Sequence, residues 1–155
     1  MDIRNNIHSQ IKLVIWDLDN TMWHGVLSES GIDDKKENYA WLVKKLCDYG
    51  IVNSVCSYND FSLAQQALKK LGVWEYFVFP DIEFGAKGTR VSSLIKRFQL
   101  RAENVLFIDD EERIREVVKE YCLLEDYNVL EASDGLEALE IVKNNNIDLI
   151  VLDIM

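Results

Sequence analysis

The apolar positions of the chain fall into two alternating patterns. Short, largely apolar runs occur at residues 13–17, 51–56, 76–79, 104–108, 128–132 and 147–154. Runs of this length, bounded by polar residues, predict strands buried on both faces. Between them, apolar residues recur every three or four positions, which predicts helices. Tyr39, Leu42, Val43 and Leu46 mark a helix over 38–49, with Gly50 as its stop. Leu63, Ala64, Ala67, Leu68 and Leu71 mark one over 61–71, closed by Gly72. Val91, Leu94, Ile95 and Phe98 mark 89–99, and Ile114, Val117, Val118, Tyr121 and Leu124 mark 111–124. A further helix spans 135–143. Strands that alternate with helices predict an α/β fold, a three-layer sandwich around a mostly parallel, Rossmann-like sheet. Residues 1–10 are polar and read as a short leader or frayed turn. Residues 20–38 are polar except for 22–27 and read as a flap or hairpin.

Composition adds bounds. With 155 residues, 48% hydrophobic and 28% charged, the chain suits one globular domain. Its net charge of −10 leaves no basic patch for nucleic acid and no attraction to an anionic membrane. Cys47, Cys56 and Cys122 are scattered, which indicates buried thiols rather than disulfides or a zinc site. Without a signal core or a bilayer-length apolar run, a cytoplasmic location is the expectation.

The chemistry concentrates at strand ends. The first run leads into Asp17-Leu-Asp19-Asn-Thr21, and an extended backbone aims Asp17 and Asp19 the same way. The second ends at Ser57, Lys87 follows the third, and the fourth ends at Asp109-Asp110. In a parallel sheet these ends share one edge. Acids from two strands suit Mg²⁺, and a lysine, a hydroxyl and loop amides suit a phosphoryl group. A carboxylate can attack phosphorus while a second one handles protons. The bland alternatives are a turn cap for Ser57 and a solvated loop position for Lys87. His24 reads as a flap residue. Trp16, Trp23, Trp41 and Trp74 read as core or flap packing, with Trp23 set just beyond the first acidic loop.

The segments DLDNTMWHGVLSE, VCSYND, FGAKG and VLFIDD resemble, in order, the four motifs of the haloacid-dehalogenase (HAD) phosphatase superfamily. The wording is nearest to its FkbH-like group (subfamily IIIC), over about residues 11–110. The resemblance implies Asp17 as a nucleophile that forms an aspartyl-phosphate and Asp19 as general acid and base. It implies Thr21 as a brace of the phosphate loop, and Ser57 and Lys87 as phosphoryl ligands. Mg²⁺ would be held by Asp17, the Asp19 carbonyl and one of Asp109 and Asp110, with Asp110 the choice. FkbH-like enzymes move a glyceryl unit from a phosphorylated donor to a carrier protein, and their relatives hydrolyse phosphate monoesters. No large insertion separates the motifs, so the site is expected to be capless and open, suited to a phosphorylated substrate on an acyl-carrier protein or a phosphoprotein.

From Val105 onward, VLFIDDEERIREVVKEY, YNVLEASDGLEALEIV and NNNIDLIVLDIM resemble the first three strands and first two helices of a bacterial response-regulator receiver domain. On that resemblance Asp109 and Asp110 are an acidic metal pair and Asp153 is the phosphoacceptor. A receiver continues for two more strands with a switch threonine or serine and a lysine. The expectation is therefore that Asp153 is not a regulated phosphoacceptor, and that the chain is a HAD/receiver chimera, engineered or by gene fusion, joined within the strand that ends in paired acids, with a natural divergent tail as the lesser alternative. Both families want an aspartate strand beside Asp109. The HAD reading assigns that place to 13–17 and predicts the order 6-5-4-1-2-3, with 147–154 at the edge, where it invites a homodimer by strand pairing. The leading reading is a Mg²⁺-dependent phosphohydrolase or phosphotransferase. A chimera that keeps fold and metal site but turns over weakly is the alternative.

Overall fold

The computed structural model describes residues 11–32, 38–99, 104–109 and 112–153. The predicted leader at 1–10 and Asp110 lie outside the described residues. Six strands form one all-parallel sheet: β1 (Leu13–Trp16), β2 (Val52–Ser57), β3 (Asp81–Ile82), β4 (Asn104–Asp109), β5 (Asn128–Ala132) and β6 (Leu149–Asp153). Helices connect them: α1 (Leu27–Ser30), α2 (Ala40–Asp48), α3 (Phe61–Lys70), α4 (Lys87–Phe98), α5 (Glu112–Leu123) and α6 (Gly135–Asn144).

Period-two alternation divides the core. Leu13 and Ile15 face α4 and α5 together with Val105, Phe107, Leu149 and Val151. Val14 and Trp16 face the opposite layer, with Val43, Ala64 and Leu68 from α2 and α3. Ala138 of α6 covers Leu106 and Ile108 on that second side. Helix starts follow local chemistry. Asp60 caps α3 by accepting from the Leu63 amide at 2.9 Å, and Asp134 caps α6 by accepting from Leu136 and Glu137. On the first side α4 packs on α5 so closely that a Cβ on Gly88 would stand 2.8 Å from Tyr121 Cδ2 and 2.9 Å from Val117 Cγ1. Only glycine suits that position, one residue into the helix that begins at Lys87.

The strand order is β3-β2-β1-β6-β4-β5. The fold class agrees with expectation, but the order 6-5-4-1-2-3 does not. β6 lies between β1 and β4 instead of outside β5, and pairs with both. Leu149 and Val151 are 0% and 1% exposed, while Ile150 and Leu152 pack into the clusters on the other face. An edge position would leave much of this apolar surface in water, at about 25 cal/mol per Å². Because both edges of β6 are paired, the open edge that suggested dimerisation through 147–154 is absent. Among the described strands, the edges of the sheet are β3 and β5.

The predicted strand at 76–79 is also replaced. Trp74–Tyr76 forms a 3-10 turn, Phe77 makes a single bridge to Asn53, and the true β3 lies beyond Pro80 at Asp81–Ile82. Phe79 has φ of 50°, which breaks an extended run there. Its ring instead meets Phe98, with centroids 5.3 Å apart, and lies under the Arg97 guanidinium. The predicted flap is present as bridges from Trp23 to Asp19 and to Asn38, followed by α1.

Candidate active site

All the predicted groups that fall on described residues stand at the carboxyl edge of the sheet. Asp17 follows β1, Ser57 ends β2, Asp109 ends β4 and Lys87 opens α4. β6 adds Asp153. Leu152 pairs in register with Trp16, the Asp17 amide donates to the Leu152 carbonyl at 2.8 Å, and Asp153 pairs with Asp109. Three aspartates, Asp17, Asp153 and Asp109, therefore end three adjacent strands in one row. Neighbouring members are about 4.8 Å apart by strand spacing. Asp17 and Asp109, predicted on adjacent strands, are separated by the whole width of β6.

One ammonium lies against this row. Lys87 Nζ is 3.4 Å from Asp17 Oδ1 and forms a closer ion pair with Asp153 Oδ2. The side chains of Lys87, Asp17 and Asp153 are 18%, 12% and 13% exposed. Burial pushes the Asp17 carboxyl up to about 6, with Lys87 opposing the rise and Asp153 adding to it. Burial alone would lower the Lys87 ammonium, yet Asp17 and Asp153 together hold it above its ordinary value. The lysine stays charged, and Asp17 is predominantly the anion at neutral pH.

Ser57 is buried and its hydroxyl hydrogen-bonds Asp17. Asn59, also buried, donates from Nδ2 to Asp19 Oδ2 at 3.0 Å and to Ser57 Oγ at 3.4 Å. Asp19 Oδ1 accepts from Trp23 Nε1 and from the Leu27 amide, each at 3.0 Å. A continuous polar chain thus runs from Asp17 through Ser57 and Asn59 to Asp19. Thr21 is buried in the turn that follows, with its amide donating to the Leu18 carbonyl at 3.2 Å. Asn20 takes φ of 56° there, and its side chain accepts from the Gly25 amide at 2.9 Å, which folds the flap back on the loop.

Three contributors escape the sequence patterns. Trp23 is buried as expected, but its indole N–H also reaches Asp19. Asn59 sits two residues past Ser57, where a hydrophilic turn gave no sign of its partner. Arg90 is 8% exposed and donates to the Ser57 and Asp81 carbonyls at 3.2 and 2.8 Å, and to the Asp81 carboxylate. It staples the start of β3 to the end of β2. Cys56, beside Ser57, has its thiol pushed up to about 12 by burial, so it is packing material and not a nucleophile.

The oxygen ligands suit Mg²⁺ in kind and charge: three carboxylates against one ammonium leave a net negative site. Among the described residues no three such side chains stand close enough to enclose an ion. Mg²⁺ does not require that, since one or two carboxylates with water and substrate phosphate oxygens suffice. The adjacent pairs in the row are Asp17 with Asp153 and Asp153 with Asp109. Asp110 lies outside the described residues.

Residues 105–155 match the family model of the response regulator receiver domain. Over 54 residues the chain is 43% identical to the transcriptional regulatory protein SrrA of Staphylococcus aureus, in strains NCTC 8325 and COL alike. That match covers 35% of this chain and only 22% of SrrA. A solved structure covers far more. It is the N-terminal part of a Bacteroides fragilis protein, containing a phosphatase domain complexed with Mg, and it aligns over 96% of this chain and 44% of that one. The TM-score is 0.66 and the identity 22%, a likeness of fold. The β5-β4-β6 block has the 2-1-3 order that begins a receiver-type sheet. No described helix is long and apolar enough to cross a membrane.

Proposed function

We propose that this chain moves the phosphoryl group of a phosphomonoester onto Asp17 and then to water or another acceptor, as a Mg²⁺-dependent phosphohydrolase or phosphotransferase. The observation that carries the reading is Lys87 Nζ 3.4 Å from Asp17 Oδ1, at a sheet edge where Ser57 hydrogen-bonds the same carboxylate. A buried anion beside a fixed cation can attack phosphorus while the cation offsets charge on the transferring oxygens. The bond to the ester oxygen breaks as the Asp17–phosphorus bond forms. Asp19 gives a proton to the leaving oxygen, then takes one from the water that releases inorganic phosphate. Ser57 orients Asp17 and, with Lys87, faces the phosphoryl group; Thr21 supports the loop beneath.

A bound Mg²⁺ supplies charge compensation on the phosphoryl oxygens. Asp17 with Asp153 would hold it, or Asp153 with Asp109, joined on the family resemblance by the Asp19 carbonyl and Asp110. The lack of any large insertion between the motifs leaves room for a large or carrier-bound phosphorylated substrate. The FkbH-like wording of residues 17–29 favours a phosphorylated three-carbon donor and a carrier-protein acceptor.

The test is hydrolysis of an aryl phosphate by the wild type and Asp17→Asn, with and without Mg²⁺. Equal rates for the two proteins remove the reading. A slow, equal background in both is the outcome for a chimera that keeps the fold but not turnover, with β6 standing between Asp17 and Asp109 as the cause.

A second reading is favoured by one observation: the aspartate beside Asp109 is Asp153, and Lys87 is paired with it. In this reading Asp153 takes the phosphoryl group from a small phosphodonor. A phosphate mass increment retained in Asp17→Asn and lost in Asp153→Asn supports it. The reverse pattern removes it.

A further inference from the structure

We infer that Trp23 and Asn59 are positioning residues that hold Asp19 as the proton donor to a poor leaving group, which makes phosphate esters of aliphatic alcohols the substrate class of this site. The inference rests on the phosphohydrolase reading above and deepens it.

The Asp19 carboxylate is gripped from two directions. From the flap, Trp23 Nε1 and the Leu27 amide both reach Oδ1 at 3.0 Å. From the loop after β2, Asn59 Nδ2 reaches Oδ2 at 3.0 Å. Trp23 and Asn59 are 4% and 5% exposed, so neither donor is free to exchange its partner for water. Donors on both oxygens fix the plane of the carboxylate; Oδ1 accepts two of them and Oδ2 only one, so Oδ2 keeps a lone pair for the proton. Asn59 also touches Ser57 Oγ at 3.4 Å, which ties the orientation of Asp19 to the group that hydrogen-bonds Asp17.

A grip of this kind matters unequally across substrates. A nitrophenolate leaves without a proton, so hydrolysis of its phosphate ester depends little on where the acid stands. An aliphatic alkoxide must be protonated as the P–O bond breaks, and a displaced acid then costs much of the benefit of general acid catalysis, about 100-fold or more. A site that invests two buried side chains in fixing this carboxylate is adapted to the second kind of ester.

The experiment compares hydrolysis of p-nitrophenyl phosphate with that of a simple alkyl phosphate. The proteins are wild type, Asp17→Asn, Trp23→Phe and Asn59→Leu, all with Mg²⁺. Trp23→Phe keeps the buried ring and removes the N–H alone. The expected losses for Trp23→Phe are about tenfold on the alkyl ester and about twofold on the aryl ester, and for Asn59→Leu about 100-fold against a few-fold. Equal losses on both esters, with Asp17→Asn inactive, overturn the positioning role and leave the phosphohydrolase reading standing. Wild-type rates equal to those of Asp17→Asn overturn both.

Discussion

β1 and β6 run side by side, end in the same row and offer one aspartate each to the same lysine, yet different surroundings hold the two acids. Asp17 leads into a buried turn: Leu18, Thr21, Met22 and Trp23 are all packed away, and Ser57 and Asn59 close over the loop. Asp153 is held by its neighbours in the row and by Lys87. The contrast separates two questions that an aspartate at a strand end tends to merge. Apolar content on both faces decides where a strand goes in the sheet. The residues that follow the strand decide what its terminal acid can do.

The sharpest way to break this comparison is to exchange the roles. Asp17→Asn is expected to lower phosphatase turnover by at least about 10³-fold, since it removes the attacking oxygen, while Asp153→Asn loses much less. Initial rates under saturating substrate decide it, and a larger loss in Asp153→Asn would transfer the nucleophile to β6.

Next comes the position of β6. Leu149 is fully buried between β1 and β4, so Leu149→Ala is expected to cost about 3–5 kcal/mol in urea unfolding. A cost below about 1 kcal/mol is what an edge strand would give.

A comparable but smaller effect concerns Asp17 in the metal-free protein. Its folded carboxyl is raised from 3.8 to about 6, so between those pH values the native state keeps a proton that the unfolded chain has released. Stability attributable to this group therefore falls as pH rises from about 4 to 6 and stays lower above. Asp17→Asn escapes that loss, and its stability advantage over the wild type should grow through the same window to about 1–3 kcal/mol at pH 8. Thermal unfolding at several pH values with chelator present measures it, and an advantage that shrinks with pH contradicts the burial-driven shift.

The smallest effect tests the other end of the same two strands. Lys12 Nζ meets Asp148 at 2.9 Å with the lysine 44% exposed, and Lys12→Ala should cost less than about 1 kcal/mol. A salt-independent loss well above that would mean that the pair, and not the apolar packing, fastens β6 to β1.

Much of this was legible in the chain. Strand runs and helical spacing located nearly every element, because burial on two faces or one leaves periods that differ. Asp17, Asp19, Ser57, Lys87 and Asp109 were legible as a set because parallel strands deliver their ends to one edge. The order of the sheet was not. The 147–154 run is apolar on both faces, as an interior strand must be, but resemblance in the first two thirds of the chain assigned the interior place to β1. Both are interior, and neither pattern tells which strand neighbours which. The 76–79 run misled because four apolar residues in a row do not show that the first ends a 3-10 turn and only Phe77 bridges to the sheet, and the positive φ at Phe79 belongs to no pattern of hydrophobicity. Asn59 was hidden for a related reason. A hydrogen bond across 40 positions, such as Asn59 to Asp19, has no spacing to betray it.

The central place of β6 also sets an order of events. β1 and β4 never pair with each other, so nothing in the sheet joins β3-β2-β1 to β4-β5 until β6 arrives to bridge them. The link between Lys12 and Asp148 spans 136 positions, and closing a loop of that size before any pairing rewards it is a slow step. Until β6 docks, the two half-sheets present bare inner edges, each able to capture the wrong strand. The wedge that completes the row of aspartates is thus also the latch of the fold, the strand on which the joining of the two half-sheets depends.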